Sequence, residues 1–199
     1  MANNAGNVST AKPAVAGAIH RAPAGTTLPT TADETLATGF KGLGYVSDDG
    51  ATNSDERESE EVKAWGGDTV AAPQTGFTDK FKYKLIESLN TDVLKAVYGD
   101  GNVSGTLASG LTVKVNAKEQ PEASWVIDTI LTGDVKKRMV IPKGKLTEKG
   151  EVVYKDNEPI GYEVTITAFP DTDGNTHYEY LKAPSSSGSG GGSGSGESQ

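Results

Sequence analysis

The 199-residue chain carries a net charge of −8, contains no cysteine, and has 35% hydrophobic and 23% charged residues. Its length supports one hydrophobic core, and 25 glycines with 9 prolines favour strands and turns over helices. The acidic balance argues against tight nucleic-acid binding, the lack of cysteine excludes disulfides and thiolate metal sites, and no apolar run is long enough for a membrane span. The N-terminus lacks the pattern of a secretory signal, which predicts a protein made and used in the cytoplasm.

The first part of the chain, residues 1–35, shows no hydrophobic period and is rich in Ala, Gly, Thr and Pro. This composition predicts an N-terminal arm that is either a flexible terminus or docked onto another subunit. A strand is predicted at residues 42–47, where Leu43 and Tyr45 alternate with smaller side chains.

A strongly acidic segment follows this strand. Seven acids and one arginine lie between Asp48 and Glu61, and Trp65 precedes two glycines at the end of the segment. The pattern predicts a long polar loop over residues 48–67, and such a loop in a compact domain is usually functional or becomes ordered on a partner. Trp65 needs a pocket, which lies either on its own sheet or on another subunit.

The stretch 78–99 has the clearest structural pattern of the chain. Apolar side chains alternate with three lysines between residues 80 and 84, which predicts a strand with one apolar and one cationic face. Asn90 or Thr91 can cap a helix over residues 91–98, and Gly99 ends it. The candidate core side chains of this strand and helix are Phe81, Tyr83, Leu85, Val93, Leu94 and Val97.

After Gly99 nearly all patterns indicate β-structure. The predicted strands are 111–115, 124–131, 135–141, 152–155, 160–169 and 177–181. Pro142 ends the third of them, a charged turn covers residues 143–150, and the fourth and fifth form a hairpin. An Asp173-Gly174 hairpin turn leads to the last strand and predicts that this strand pairs with the one before it.

The predicted elements give a mainly β protein, an antiparallel β-sandwich or barrel-like domain over residues 36–183 with one short flanking α-helix. An N-terminal arm precedes this domain. The Gly/Ser-rich stretch 184–199 predicts a flexible C-terminal tail, which is either a natural tether or an engineered remnant.

Known catalytic patterns are missing from the sequence. His20 and His177 have no His or Cys at metal-ligand spacing, and the Asp171–Asn175 segment predicts a turn, not a calcium loop. A glycosidase would need one buried carboxyl with a raised pKa, whereas the acids of the polar segment are expected to be solvated. We therefore expect no enzyme, no cofactor and no metal site.

Several short segments occur in a characteristic order: NNAGNVSTAKPAV, LGYVSDDG, KAWGGDTV and FKYKLIESLNTDVLKAVYG. In this order the chain resembles the major tail proteins, or tail tube proteins, of long non-contractile-tailed bacteriophages (siphophages), from its first residues to about Leu181. The resemblance implies a tail-tube fold, a β-sandwich or barrel-like domain with one flanking helix, and copies that close into hexameric rings stacked head to tail.

The resemblance also implies a function and partners. The chain would be a structural subunit of the virion tail, assembled in the host cytoplasm, and its tube would be the channel for genome ejection into the host. Its partners would be other copies, the tape measure, tail terminator and distal tail proteins, and DNA in transient non-specific passage, with no membrane binding. The candidate inter-subunit and inter-ring contacts are Asp48, Asp49, Asp55, Glu56, Arg57, Glu58, Glu60, Glu61 and Trp65.

Lysines facing the channel would attract DNA, so the lysines at 80, 82 and 84 are expected to face elsewhere or to be offset by acids. The alternative function is a soluble β-sandwich adhesion or carbohydrate-binding module. That alternative would need an exposed cluster of aromatic side chains, whereas the aromatic residues of this chain are expected on strand faces.

Overall fold

The computed structural model describes residues 3–184, so the predicted tail from residue 185 onward lies outside the described residues. The described part is mainly β with antiparallel pairing and one α-helix, α1 (Thr91–Tyr98). The strands are β1 (Ala11–Pro13), β2 (Ile19–Pro23), β3 (Lys41–Gly42), β4 (Val46–Ser59), β5 (Val62–Lys63), β6 (Thr69–Ala71), β7 (Gln74–Leu85), β8 (Val103–Thr106), β9 (Gly110–Val113), β10 (Ala123–Leu131), β11 (Val135–Lys149), β12 (Tyr162–Phe169) and β13 (Tyr178–Lys182).

A nine-stranded sheet forms the body of the protein. Its order is β3-β2-β10-β11-β12-β7-β4, with β1 beside β10 and β13 beside β11. Two small hairpins, β5–β6 and β8–β9, form separate two-stranded sheets. In the described part of the chain the margins β3 and β4 do not pair with each other, so the sheet is open and not a closed barrel.

Helix α1 covers one face of this sheet. The Asn90 side chain accepts a hydrogen bond from the Asp92 amide at 2.9 Å, and Gly99 ends the helix with a φ of 96° that favours glycine. Burying the apolar side of so short a helix is its main source of stability. The buried cluster between helix and sheet includes Val93, Leu94, Val97, Phe81, Tyr83, Leu85, Trp125, Ile127, Ile141, Val164 and Ile166.

A smaller cluster lies around Val126, Val140, Ala22 and Phe40. The segment 28–40 covers it and is fixed by a buried ion pair, because Arg138 bonds Asp128 at 2.7 Å and also donates to two backbone carbonyls of that segment. Burying these charges is tolerated because Nε, Nη1 and Nη2 of Arg138 each have a hydrogen-bond partner.

The N-terminal residues differ from the predicted arm of residues 1–35. Strands β1 and β2 both pair with β10, and Ile19 and Ala22 are buried in the two core clusters. Neither strand is long enough to show a hydrophobic period, so only the long-range pairing with β10 defines them. Residues 11–13 and 19–23 of the predicted arm are therefore part of the sheet.

The predicted end of a strand at Pro142 is wrong. Strand β11 continues through Pro142 to Lys149, replacing the expected charged turn. The proline lies where the ladder with β10 is irregular, between the Trp125↔Ile141 and Ala123↔Gly144 pairs. A bulge needs no ladder N–H at that position, which is why a proline is tolerated there.

The predicted pairings of the last strands are also wrong. Residues 152–155 form no strand, and β12 pairs with β11 and β7 instead. β13 follows the turn at Asp173-Gly174 but pairs with the first half of β11, not with β12. Because β11 is 15 residues long, it accommodates β12 along one half and β13 along the other.

Candidate assembly surface

The acidic segment is a β-strand and not the predicted loop over residues 48–67. Strand β4 pairs antiparallel with β7 from Ala51↔Tyr83 to Ser59↔Gln74, and β5–β6 extends the pair toward the turn. We call residues 48–78 the acidic hairpin. Asp, Asn, Gly and Ser disfavour strands when considered alone, so pairing with β7 determines the structure of β4 here.

No element of residues 3–184 covers either face of the acidic hairpin. Every residue from 48 to 75 is exposed, and β4 forms one margin of the large sheet. Margin strands present unpaired backbone groups that can accept a strand or loop from another chain. An isolated two-stranded ribbon is only marginally stable in water, so packing on a partner would stabilise this one.

The structure distributes the predicted contact residues along the hairpin instead of gathering them. Asp48 and Asp49 lie in the irregular region at the start of β4, between the pairs Val46↔Leu85 and Ala51↔Tyr83. Glu60 and Glu61 lie near the far end of the hairpin, where the Thr69 hydroxyl donates to Glu61 at 3.2 Å. These acids therefore do not form a single patch.

The middle of the hairpin has two different faces. Asp55 and Arg57 pair with residues 79 and 77, so they continue the apolar face of β7, and the Arg57 guanidinium lies 4.6 Å from the centre of the Phe77 ring. Glu56 and Glu58 lie on the opposite face, the same one as the β7 lysines.

The turn that ends the hairpin carries Trp65. The Ala64 amide donates to the Asp68 carbonyl at 2.8 Å, and the Gly67 amide donates back to Ala64 at 3.0 Å. Gly66 and Gly67 have positive φ values of 129° and 99° that few other residues adopt. Trp65 lies in this turn with its whole side chain exposed, so it does not fill a pocket on its own sheet.

A buried polar network holds the base of the hairpin, and the sequence analysis missed it. Asp79 is fully buried and accepts hydrogen bonds from Asn53 and Thr176, both at 2.7 Å. His177 Nδ1 lies 2.6 Å from the same carboxylate, and its ring packs edge-on against Phe81. The network ties β4, β7 and the start of β13 together where the hairpin leaves the core.

The pKa values of this pair move in opposite directions. Burial raises the pKa of Asp79, but the hydrogen bonds from His177, Thr176 and Asn53 outweigh it and hold the pKa below its usual value. The bond to Asp79 raises the pKa of His177, against the effect of burial. The only sign of this network in the sequence is Asp79 itself, which occupies a position of β7 where the alternation predicts an apolar residue.

The corner before β4 is fixed to the helix. The Glu87 carboxylate accepts hydrogen bonds from the Tyr45 amide and from the Asn90 side chain, both at 2.9 Å. Gly44 has a φ of 68°, and a Cβ at that position would overlap this carboxylate. This corner divides the strand predicted at 42–47 into the end of β3 and the start of β4.

The lysines of β7 lie on the face opposite the core. Lys82 forms an ion pair with Glu163 of β12 at 2.9 Å. On the same face of β11, which is separated from β7 by β12, Lys145 is paired with Glu119. Acids therefore offset at least two of the cations on this face.

A cleft of about 900 Å³ opens at the start of the hairpin. Its walls are residues 11–19 and residues 44–51, and its floor includes Ile127, Leu131 and Met139. We call it the N-terminal cleft. Ile127 is fully buried, whereas Leu131 and Met139 are half-buried, so the cleft exposes the margin of the apolar sheet face that the other described elements leave uncovered.

Residues 3–184 contain no candidate metal-binding cluster and no helix that could span a membrane. No group of three or more His, Cys, Asp or Glu side chains in this range is arranged to hold a metal ion. The described helix is too short and too polar to cross a bilayer.

Comparison with known proteins identifies the class of this molecule. The profile of a family described as phage tail tube protein matches residues 1–188, which defines a structural protein of a phage tail. The chain belongs to the phage tail tube protein family. This is a family of structural proteins of the virion and not a family of enzymes.

Among solved structures, a chain of "Virion of native gene transfer agent (GTA) particle" is similar at 14% sequence identity and a TM-score of 0.37. The similarity covers 74% of this chain and 92% of that chain. No curated protein matches the sequence.

Proposed function

We propose that copies of this chain close into rings of six, and that the rings stack into the tail tube through which the genome is ejected into the host. The single observation that carries this proposal is the acidic hairpin, which is exposed from residue 48 to residue 75. A standard interface uses about 20–30 residues from each partner, and the exposed stretch is of that size.

The hairpin supports assembly by contact between unlike surfaces. Its residues extend away from the core of their own subunit, so the surface that receives them belongs to another copy. Such head-to-tail contacts generate a ring when the rotation closes and a filament when it does not. The acids at 48, 49, 55, 56, 58, 60 and 61, with Arg57 and Trp65, are the proposed contacts within and between rings.

The charge of the chain suits a channel that conducts DNA without holding it. A ring of six copies would carry six times the net charge of −8. A channel wall of that sign repels phosphates and allows the duplex to slide. The ion pair between Lys82 and Glu163 weakens the attraction that the β7 lysines would otherwise exert on DNA.

The remaining partners follow from the place in the virion. The tube would contact the tape measure, tail terminator and distal tail proteins. It would be assembled in the host cytoplasm, and this chain would bind no membrane. The role needs no cofactor and no catalysis.

Electron microscopy of the purified chain, before and after mild heating, tests the proposal. Stacked rings of uniform bore with six-fold averages are expected. Single particles under all conditions would contradict it, and single particles with affinity for glycans would favour a β-sandwich adhesion or carbohydrate-binding module.

A further inference from the structure

The N-terminal cleft and Trp65 are two unsatisfied apolar features of one chain. The cleft has a floor of Ile127, Leu131 and Met139 and a volume of about 900 Å³. Pockets of roughly 300–1,000 Å³ hold compact ligands, so this cleft has room for an aromatic side chain together with the turn that carries it. Trp65 is the most exposed large hydrophobic side chain of the described residues.

A chain cannot place its own Trp65 in its own cleft. The ladder between β4 and β7 runs without a break from Ala51 to Glu58, which keeps the hairpin extended. At about 3.3 Å per residue, the turn lies roughly 40 Å from the cleft wall at residues 44–51. The network around Asp79 holds the hairpin at its base, so the turn cannot fold back.

We propose that the N-terminal cleft receives the Trp65 turn of a second copy of this chain. This inference rests on the proposed function, because it names the receiving surface for the hairpin of a neighbouring subunit. Burial of a tryptophan removes about 150–250 Å² of side-chain surface from water, which makes such residues frequent anchors of interfaces.

Charge complementarity favours a copy of this chain as the occupant and sets its direction. One wall of the cleft carries Lys12, and the other carries Asp48 and Asp49. The two other charged lining residues are already bonded, Lys137 to Glu179 and Glu87 to Tyr45 and Asn90. The turn carries Lys63 before Trp65 and Asp68 after it. In one orientation Lys63 faces the acidic wall and Asp68 faces Lys12, whereas the reverse orientation brings like charges together.

The contact has a structural consequence. The cleft is bounded by the base of one hairpin and receives the end of the next, so the interaction is heterologous and repeats from copy to copy. Each bound turn also covers the apolar floor of the cleft, which β10 and β11 form beside the start of β4. The hairpin and the cleft would both gain order from the same contact.

Site-specific cross-linking tests this contact, because the chain has no cysteine and the background is therefore zero. Ala64→Cys marks the turn and leaves Trp65 intact, and Ala16→Cys marks the cleft wall. The two full-length variants are mixed, allowed to assemble, treated with a short bismaleimide and analysed on a denaturing gel. The matched control replaces Ala16→Cys by Ala108→Cys, an exposed alanine in the turn between β8 and β9.

Each outcome decides between the two proposals when the same samples are viewed by electron microscopy. We expect tubes in which cross-linking exceeds that of the control. This cross-linking should be lost when Trp65→Ser is added to the Ala64→Cys variant. Tubes without such cross-linking overturn the cleft as the receiving site and leave the tube function standing. Cross-linking without rings or tubes retains the contact and overturns the tube function, and neither product overturns both.

Discussion

His177 Nδ1 lies 2.6 Å from Asp79 Oδ2, which bonds the start of β13 to the base of the acidic hairpin. Asp79 is fully buried and has two further donors, Asn53 and Thr176. The direction in which the hairpin leaves the core therefore depends on one carboxylate. Three strands that are distant in the sequence meet at this group.

The Asp79–His177 pair makes stability depend on pH. The pKa of Asp79 is lowered from 3.8, so its contribution is present above that value and is lost as the pH falls through the folded-state pKa. The pKa of His177 is raised from 6.5, so its contribution is complete below 6.5 and is lost as the pH rises through the folded-state pKa. The pair is expected to stabilise the fold most between about pH 4 and 6.5.

Urea unfolding of the wild type and of Asp79→Asn/His177→Gln at about pH 3, 5.5 and 9 measures this dependence. The difference in unfolding free energy between the two proteins should be largest at the middle pH. His20→Gln is the control, because burial lowers the pKa of that histidine and its contribution has the opposite trend. A difference that does not change with pH would contradict the assignment.

Removing the buried carboxylate should lower the unfolding free energy at any pH at which this carboxylate is ionised. Asp79→Asn leaves donors without a charged acceptor, and losing such a bond costs about 1.5–3 kcal/mol of unfolding free energy. Asp55→Asn is the matched control, since Asp55 pairs with Asp79 across the ladder but is exposed. Equal effects of the two substitutions on the urea midpoint would show that the network does not stabilise the hairpin base.

Gly44→Ala should disturb the corner between β3 and β4. Gly44 has a φ of 68°, and an added Cβ would overlap the Glu87 carboxylate that binds the Tyr45 amide. We expect a loss of about 1–3 kcal/mol in unfolding free energy. Gly101→Ala, where nothing lies within 4 Å of the added Cβ, should change stability by less than about 0.5 kcal/mol.

Gly144→Ala should disturb the core at its centre. A Cβ at Gly144 would lie 2.6 Å from Trp125 Cδ1 and 2.9 Å from Ile166 Cγ2. Overpacking of this kind costs about 1–3 kcal/mol, so the thermal midpoint should fall. Near-UV circular dichroism should also change, because Trp125 is buried against this position. An unchanged thermal midpoint and spectrum would mean that the sheet can open at Gly144 without cost.

Shortening the acidic hairpin should separate folding from assembly. Glu56 and Thr78 face each other in the ladder, so replacing residues 57–77 by Asn-Gly closes the strands with a two-residue turn. The deleted residues lie outside both core clusters, and the urea midpoint of the monomer should change little. Tube growth, measured by sedimentation, should be lost. A shortened chain that still forms tubes would exclude the hairpin as an assembly element.

Elements with a local signature could be predicted from the sequence. Strand β7 has alternating apolar residues that end in Phe81, Tyr83 and Leu85, and helix α1 has a cap at Asn90 and a stop at Gly99. In both cases neighbours within a few residues determine the structure. The mainly β, antiparallel class followed from such strands together with the single helix.

Elements that depend on distant pairing could not be predicted in this way. β4 is polar on both faces and is not covered by any other element of residues 3–184, so it carries no hydrophobic period, and only its ladder with β7 makes it a strand. β2 is a five-residue strand held by β10. Asp79 shows the same limit, because its partner His177 is 98 residues away and only the fold brings them together.

We propose that neighbouring copies cover the acidic hairpin, and a cryo-electron microscopy map of the assembled wild-type chain tests this contact most directly. Closed rings in which residues 48–75 lie against an adjacent subunit are expected. Rings whose hairpins remain in solvent, or particles of a single copy at all concentrations, would contradict it.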